Sequence, residues 1–501
     1  MAIWALDLSP GSLFVIVLVA TTGFLLSQAI YNVFFHPLRS FPGPLSMRAS
    51  RVPYCIHIIS GRLPFTILEL HKRYGSVVRI APNELVFADA RAWKDIMGHR
   101  AAGEPEMQKA QVVYRFTAGA PVSILNAPRE EHGRMRKQLA HGFSEKSMRS
   151  QEPIIMRYVN LLMDRLRENS QGGKSPQDMV KWYNYTTFDI IGDLTFGESF
   201  GCLETSHYHP WVTMIFAGIK LGTYSQVARH FPMFQSLIQL GLPSSLQQKR
   251  LEHFRLTDEK LLKRIDMGMH RQDLIEGFLR AKDDITVPMS LAQLRMMSSL
   301  LIAAGSETTA TLLSGVTYLL GKNPEALAKI TQEVRTAFSS EEEINFQSVN
   351  ALQYMLACLD EALRVYPPVP IGMPREVPKG GWTIAGQFVA EDTIVSLYHY
   401  ALYHNERYFK DAEGFHPERW LGDPRFASDD RELFQPFQLG PRNCIGRNLA
   451  YVEMRTILAR ILWNYNISLA DDSQNWMSQQ KIYGLWEKDA LNVYLTPRGA
   501  S

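Results

Sequence analysis

The 501-residue chain predicts a mainly α-helical protein with a small β part, preceded by one apolar helix able to cross a bilayer. Three observations carry that expectation. Apolar residues recur at the helical period over 153–168, 290–320, 324–338 and 347–365. Two short β-rich runs are split by turn residues, one pair around Pro82-Asn83 and the other around Ala385-Gly386. The segment 13–35 contains no charged side chain.

As a helix that segment would extend about 34 Å, close to the ~30 Å hydrocarbon core of a membrane. Asp7 precedes it and Arg39, Arg48 and Arg51 follow it, so the positive-inside rule puts the body on the cytosolic side. A cleaved signal would show a basic start and a small-residue cleavage site, and neither is present. Pro37, Pro42, Pro44 and Pro53 then resist regular structure and make a stiff spacer. The expected order is 1–12 on the lumenal side, 13–35 across the bilayer, 36–53 as a proline-rich hinge and 54–501 as the body. Runs 77–80 and 85–87 form one hairpin, and 382–384 with 387–389 a second, both expected in one small sheet. Ser290-Leu-Ala-Gln293 is a capping box that opens the longest helix, and Asn323-Pro324 ends it. Net charge is +3, from 53 basic and 50 acidic residues, which gives no global electrostatic case for nucleic acid. The four cysteines, Cys55, Cys202, Cys358 and Cys444, have no disulfide spacing and fit a reducing compartment.

One of them has a particular setting. Cys444 lies in Phe437-Gln-Leu-Gly440-Pro-Arg442-Asn-Cys444-Ile-Gly446. A structural zinc would need several Cys or His ligands nearby, and none is present. A haem iron takes four ligands from its porphyrin and accepts a single axial thiolate. In that setting Gly440 and Gly446 let the backbone approach the ring, Phe437 shields the sulfur, and Arg442 offers a fork of donors to a propionate. Leu449, Val452, Leu458, Ile461 and Leu462 then repeat at helical spacing, so Cys444 precedes a helix whose dipole favours a charged sulfur. The competing interpretation is an ordinary buried thiol. Inside the longest helix, Ala304-Gly305-Ser306-Glu307-Thr308-Thr309 weakens the local helix. An acid beside an alcohol there can relay protons, with a solvated Thr-rich face as the alternative.

These two motifs resemble the cytochrome P-450 superfamily. The Cys444 loop matches every specified position of its Phe-x-x-Gly-x-Arg-x-Cys-x-Gly signature, and Ala304, Gly305, Glu307 and Thr308 match its oxygen-activation signature. The resemblance implies that the 54–501 body has the P-450 fold. It also implies a buried lock made by Glu361, Arg364 and Arg419, with Trp420 where Phe is commoner. Arg136 and Arg375 match the arginines aimed at haem propionates, and His132 stands where the family has Trp. The implied cofactors are haem b and O2. Cys444 would donate electron density that promotes O–O cleavage, while Thr308, supported by Glu307, would deliver protons. Electrons would come from NADPH through a membrane-bound diflavin reductase, docked near Arg134, Lys137 and Arg447. Anchor and hinge resemble endoplasmic-reticulum members, most closely fungal monooxygenases of terpenoid, polyketide or alkaloid intermediates. An apolar small-molecule substrate is expected, with Tyr114, Phe116, Ile302, Ala303, residues 369–371 (Val369 to Ile371), Tyr483 and Leu485 as candidate lining. A haem isomerase or dehydratase without a reductase, and a haem carrier or sensor, remain alternatives.

Overall fold

A computed structural model describes residues 9–101, 103–114, 121–232, 244–268, 271–279 and 289–499. Pro10–Phe34 forms the apolar helix, starting three residues earlier than expected because Ser9 accepts from the Ser12 N–H and Pro10 sits at the first turn. Its residues are largely exposed along its length. The following segment is more ordered than a stiff spacer. Leu45–Ala49 and Val52–Ile59 are helical, and Pro44 and Pro53 mark their starts, where a missing N–H costs nothing. Asn32 and Arg48 donate across this junction to the carbonyls of Ala49 and Val33 at 2.9 and 3.3 Å, joining the apolar helix to the body.

The body is built around the 32-residue helix Leu291–Lys322, about 48 Å long. Its capping box forms as the sequence requires. It packs along Met179–Phe196, itself buried on nearly every side, and close approach is paid for by glycine. A Cβ on Gly305 would lie 2.7 Å from Ile191, and one on Gly315 2.4 Å from Tyr366. Glu145–Asn169 begins eight residues before the expected start and carries Pro153 within it. Met148 and Gln151 already face the core there, and the Ser144 side chain caps the first turn.

Both expected hairpins form. Val77–Ala81 pairs with Glu84–Phe87, and Trp382–Ile384 with Gln387–Val389 around Ala385 and Gly386, both at positive φ. They do not share a sheet. The second stands alone, held to helix Ala90–Met97 by the Ala385 N–H donating to Asp95 at 2.8 Å. The first joins a five-stranded sheet whose remaining strands, in spatial order, are Ile394–Ser396, Arg375–Glu376 and Gln108–Lys109. That order sets Lys109 directly opposite Arg375.

Candidate functional site

Cys444 ends a tight loop. Its N–H donates to the Phe437 carbonyl at 2.8 Å and the Asn443 N–H to the Gly440 carbonyl at 3.1 Å. Gly440 has φ +77°, and a Cβ there would fall 1.9 Å from the Met97 carbonyl oxygen. Close approach to the protein's own backbone therefore requires glycine, whatever the ring demands. Gly446 has an ordinary φ and caps helix Arg447–Asn464. Arg136, on helix Arg129–Ala140, donates to the Asn443 carbonyl at 2.7 Å and to the Asn443 side chain, so it holds the loop. Phe437 packs at 5.3 Å from Tyr451 with Arg447 over its ring.

Of the four thiols, Cys55, Cys202 and Cys358 are buried and Cys444 is exposed. Its sulfur is enclosed by protein on the remaining sides. Desolvation there raises its pKa, against the Gly446 N–H, Arg136 and Arg447, which favour the thiolate.

Beside this loop lies a concentration of buried positive charge. Arg442 pairs with Glu106 and donates to the Ala127 carbonyl at 2.9 Å, and Arg375 stands 3.9 Å from the same carboxylate. Lys109 faces Arg375 across the strand pair. Burial, Arg375 and Arg442 together push its amine well below the ordinary lysine value. Like charges directly opposite are destabilising, and one glutamate cannot neutralise three cations. Burial, Arg442 and Arg136 also lower His132 to about 4, leaving it neutral. Burial raises Glu106, but Arg442 and Arg375 overcome that and hold it below the usual range. Two further carboxylates would complete this cluster, which is what the propionates of haem offer. With one open thiol alongside, the residues fit that group. Lys109 and Glu106 carry no local motif and were missed from sequence.

The central helix presents a second face. Thr308 donates to the Ala304 carbonyl at 2.6 Å, and Ala304 is exposed between half-buried Ala303 and Gly305. Ile302 is fully buried in the core, so it does not line the open side as expected; Ala304 and Thr308, one turn apart, do, with Ala303 partly open. Glu307 points elsewhere. It is buried, pairs with Lys488 and accepts from Thr311 at 3.4 Å, and makes no hydrogen bond to Thr308. Neighbours one residue apart on a helix do not face each other. Glu453, nine residues after Cys444, hydrogen-bonds Thr309 and ties the cysteine helix to the central one. A 510 Å³ cavity opens beside Glu307, lined by Asn184, Tyr208, Phe216, Tyr224 and Lys488, and by Tyr483 and Leu485 among the expected residues. Tyr114 is buried, its hydroxyl on Met373 at 3.4 Å, while Val369 and Ile371 are half-buried. Phe116 lies outside the described residues.

The lock is complete. Glu361 accepts from Arg364 at 2.8 and 3.0 Å, from Arg419 at 3.2 Å, from the His416 N–H at 3.0 Å and from the Trp420 indole at 2.9 Å. Arg364 also donates to the carbonyls of Tyr403, Ala412 and Gly414. Arg419 adds Asp429 and the Lys410 carbonyl. Every charge in it is paired, the condition under which such burial is tolerable.

An open thiol, surplus buried cations beside it and a Thr-bearing helix define a haem-thiolate class of protein. The chain belongs to the cytochrome P450 family, whose profile, described as Cytochrome P450, matches residues 48–492. It is similar to cytochrome P450 monooxygenase tpeC of Talaromyces stipitatus, 51% identical over 491 residues, covering 96% of this chain and 94% of that one. Cytochrome P450 monooxygenase astA of Talaromyces wortmannii is 46% identical, covering 94% of each chain. Trichothecene C-15 hydroxylase of Fusarium sporotrichioides is 44% identical, covering 95% of this chain and 96% of that one. The protein is a haem-dependent P450 monooxygenase with one N-terminal apolar helix of membrane-spanning length.

Proposed function

We propose that Cys444 would hold the iron of haem b through its thiolate, and that the enzyme hydroxylates an apolar small molecule in fungal secondary metabolism. The observation that carries this is the exposed thiol beside a buried cluster of Arg442, Arg375 and Lys109 that has Glu106 as its carboxylate partner. When bound, haem supplies the activation of O2. The chain's residues do the rest. Arg375, Arg442, Lys109 and neutral His132 hold the propionates, Arg136 fixes the Cys444 loop, and Glu361, Arg364 and Arg419 support it from behind. Thr308 holds a hydroxyl on the open helix face and delivers protons, with Glu307 on the other side of the helix as its supporting acid. The net conversion consumes one substrate C–H, O2, two electrons and two protons, and yields one alcohol and water.

Terpenoid, polyketide and alkaloid intermediates are the substrate classes we favour, and the name of the trichothecene hydroxylase supports oxidation at carbon. NADPH provides the electrons through a diflavin reductase. Lys137 and Arg447 are exposed on the cysteine side, with half-buried Arg134 near Glu131 at 3.6 Å, a surface suited to an acidic partner. Arg39, Arg48 and Arg51 after the apolar helix favour a single-pass protein of the endoplasmic reticulum with its body in the cytosol.

The test is Cys444→Ala. The reduced, CO-treated variant should lose the absorption band of thiolate-bound haem, and an unchanged band would overturn the assignment.

A further inference from the structure

Glu307 carries a carboxylate that two local rules would leave alone. It is buried on the central helix, where a charge is costly without a partner, and it faces away from Thr308. Its partner comes from 181 residues further along, at the end of the hairpin Lys481–Tyr483 and Leu485–Glu487. The side chains of Lys488 and Glu307 are 4% and 5% exposed. The Lys488 amine also donates to Thr311 at 2.7 Å.

The hairpin that delivers Lys488 is firmly seated. Trp486 stacks on Tyr366 with ring centres 4.4 Å apart, and its indole donates to the Pro367 carbonyl at 2.8 Å. Tyr366 in turn packs on Gly315 of the central helix. Tyr483 meets Tyr224 at 6.0 Å, and Glu487 pairs with Lys220 at the mouth of the cavity.

The ion pair is not a closed structural unit. Among the described residues, one oxygen of Glu307, Oε2, has no hydrogen-bond partner, nor does Oδ1 of Asn184, which is 2% exposed and lines the same cavity. Both are acceptors, and a chain of water molecules would satisfy them while linking Glu307 to solvent. A purely structural pair would do better closed, because a buried pair with an unsatisfied oxygen is commonly no more stable than an apolar substitute. We propose that Lys488 is a positioning residue for proton delivery: it holds Glu307 at the inner end of a water-filled cavity, from which the carboxylate takes up protons for the Thr308 side of the helix. This rests on the relay reading given above, and extends it to a residue outside the helix.

The test uses the full-length, haem-loaded protein with reductase and substrate. Lys488→Met should keep the CO band and the substrate-induced spectral shift, yet lower product formed per NADPH by about tenfold, with the difference released as hydrogen peroxide. That is less than the ~10²-fold or greater loss expected for removing a relay group itself. Lys488→Arg should restore most of the coupling. Full coupling in Lys488→Met with uncoupling in Thr308→Ala and Glu307→Gln would overturn the role of Lys488 and leave the relay standing; full coupling in all three would overturn the relay. Loss of the CO band in Lys488→Met would make the residue structural, and would also overturn the proposal. Urea unfolding supplies a readout independent of turnover. Glu307→Gln and Lys488→Met should each lower the midpoint, and the double variant should lie nearer wild type than either; additive losses would show that the two side chains do not act on one another.

Discussion

Glu453 should make this protein less stable as pH rises through neutrality. It is 3% exposed, and burial, opposed only by the Thr309 hydroxyl, pushes its carboxyl up to about 8. In the unfolded chain it titrates near 4.5. Below that value both states hold the proton and the group contributes no pH dependence. Between about 4.5 and 8 the folded state keeps a proton that the unfolded state has released, so each pH unit favours unfolding by at most ~1.4 kcal/mol. Across the window the total is on the order of a few kcal/mol, and above pH 8 it levels off. Glu453→Gln keeps the shape and a partner for Thr309 but has nothing to titrate. Urea midpoints of the two proteins should therefore agree near pH 5 and diverge toward pH 8, with the variant the more stable. Infrared spectra at pH 6 should also show a protonated carboxyl band that the variant lacks. Parallel pH profiles, or an absent band, would mean that Glu453 is ionised in the folded protein and that the burial argument fails.

Two further outcomes follow from the geometry. Glu361→Gln removes the anion between two buried guanidiniums, and breaking a buried pair costs ~3–5 kcal/mol; the urea midpoint should fall steeply together with the CO band, and a wild-type midpoint would show that the carbonyls around Arg364 suffice. Asn184-Tyr-Thr186 and Asn466-Ile-Ser468 both fit the N-glycosylation acceptor pattern, but Asn184 is buried and bonded to Tyr208 at 3.0 Å, so exposed Asn466 reports topology. Glycosidase treatment of protein from a eukaryotic host should leave its gel mobility unchanged, and a shift would put the body on the lumenal side.

What could be read from sequence was what local rules determine. The capping box at Ser290, the turn at Ala385-Gly386 and the loop around Cys444 each specify their own geometry within a few residues. The misses came from contacts that no local pattern encodes. That Gly305 weakens its helix follows from its own residue type, but the close packing of Ile191 from another helix that also requires it does not. Glu106 reaches Arg442 across 336 residues, and Lys109 meets Arg375 only because sheet order brings their strands together. Pro153 looked like a helix start because proline is well tolerated there, yet the buried face continues through it and tertiary packing prevails.

The two departures from the family's pattern are instructive for the same reason. At Trp420 the substituted ring does more than fill space: its indole donates to Glu361, adding a bond to the lock that phenylalanine could not make, while the ring stays packed 4.4 Å from Phe434. At His132 the change is from indole to imidazole, which would bring a new charge into an already cationic cluster if it were protonated. Burial, Arg442 and Arg136 prevent that by lowering it to about 4. A neutral imidazole keeps one N–H, the feature an indole would have offered to a propionate. One substitution therefore adds a donor and the other keeps one on a different ring, and each ring fits the charges around it.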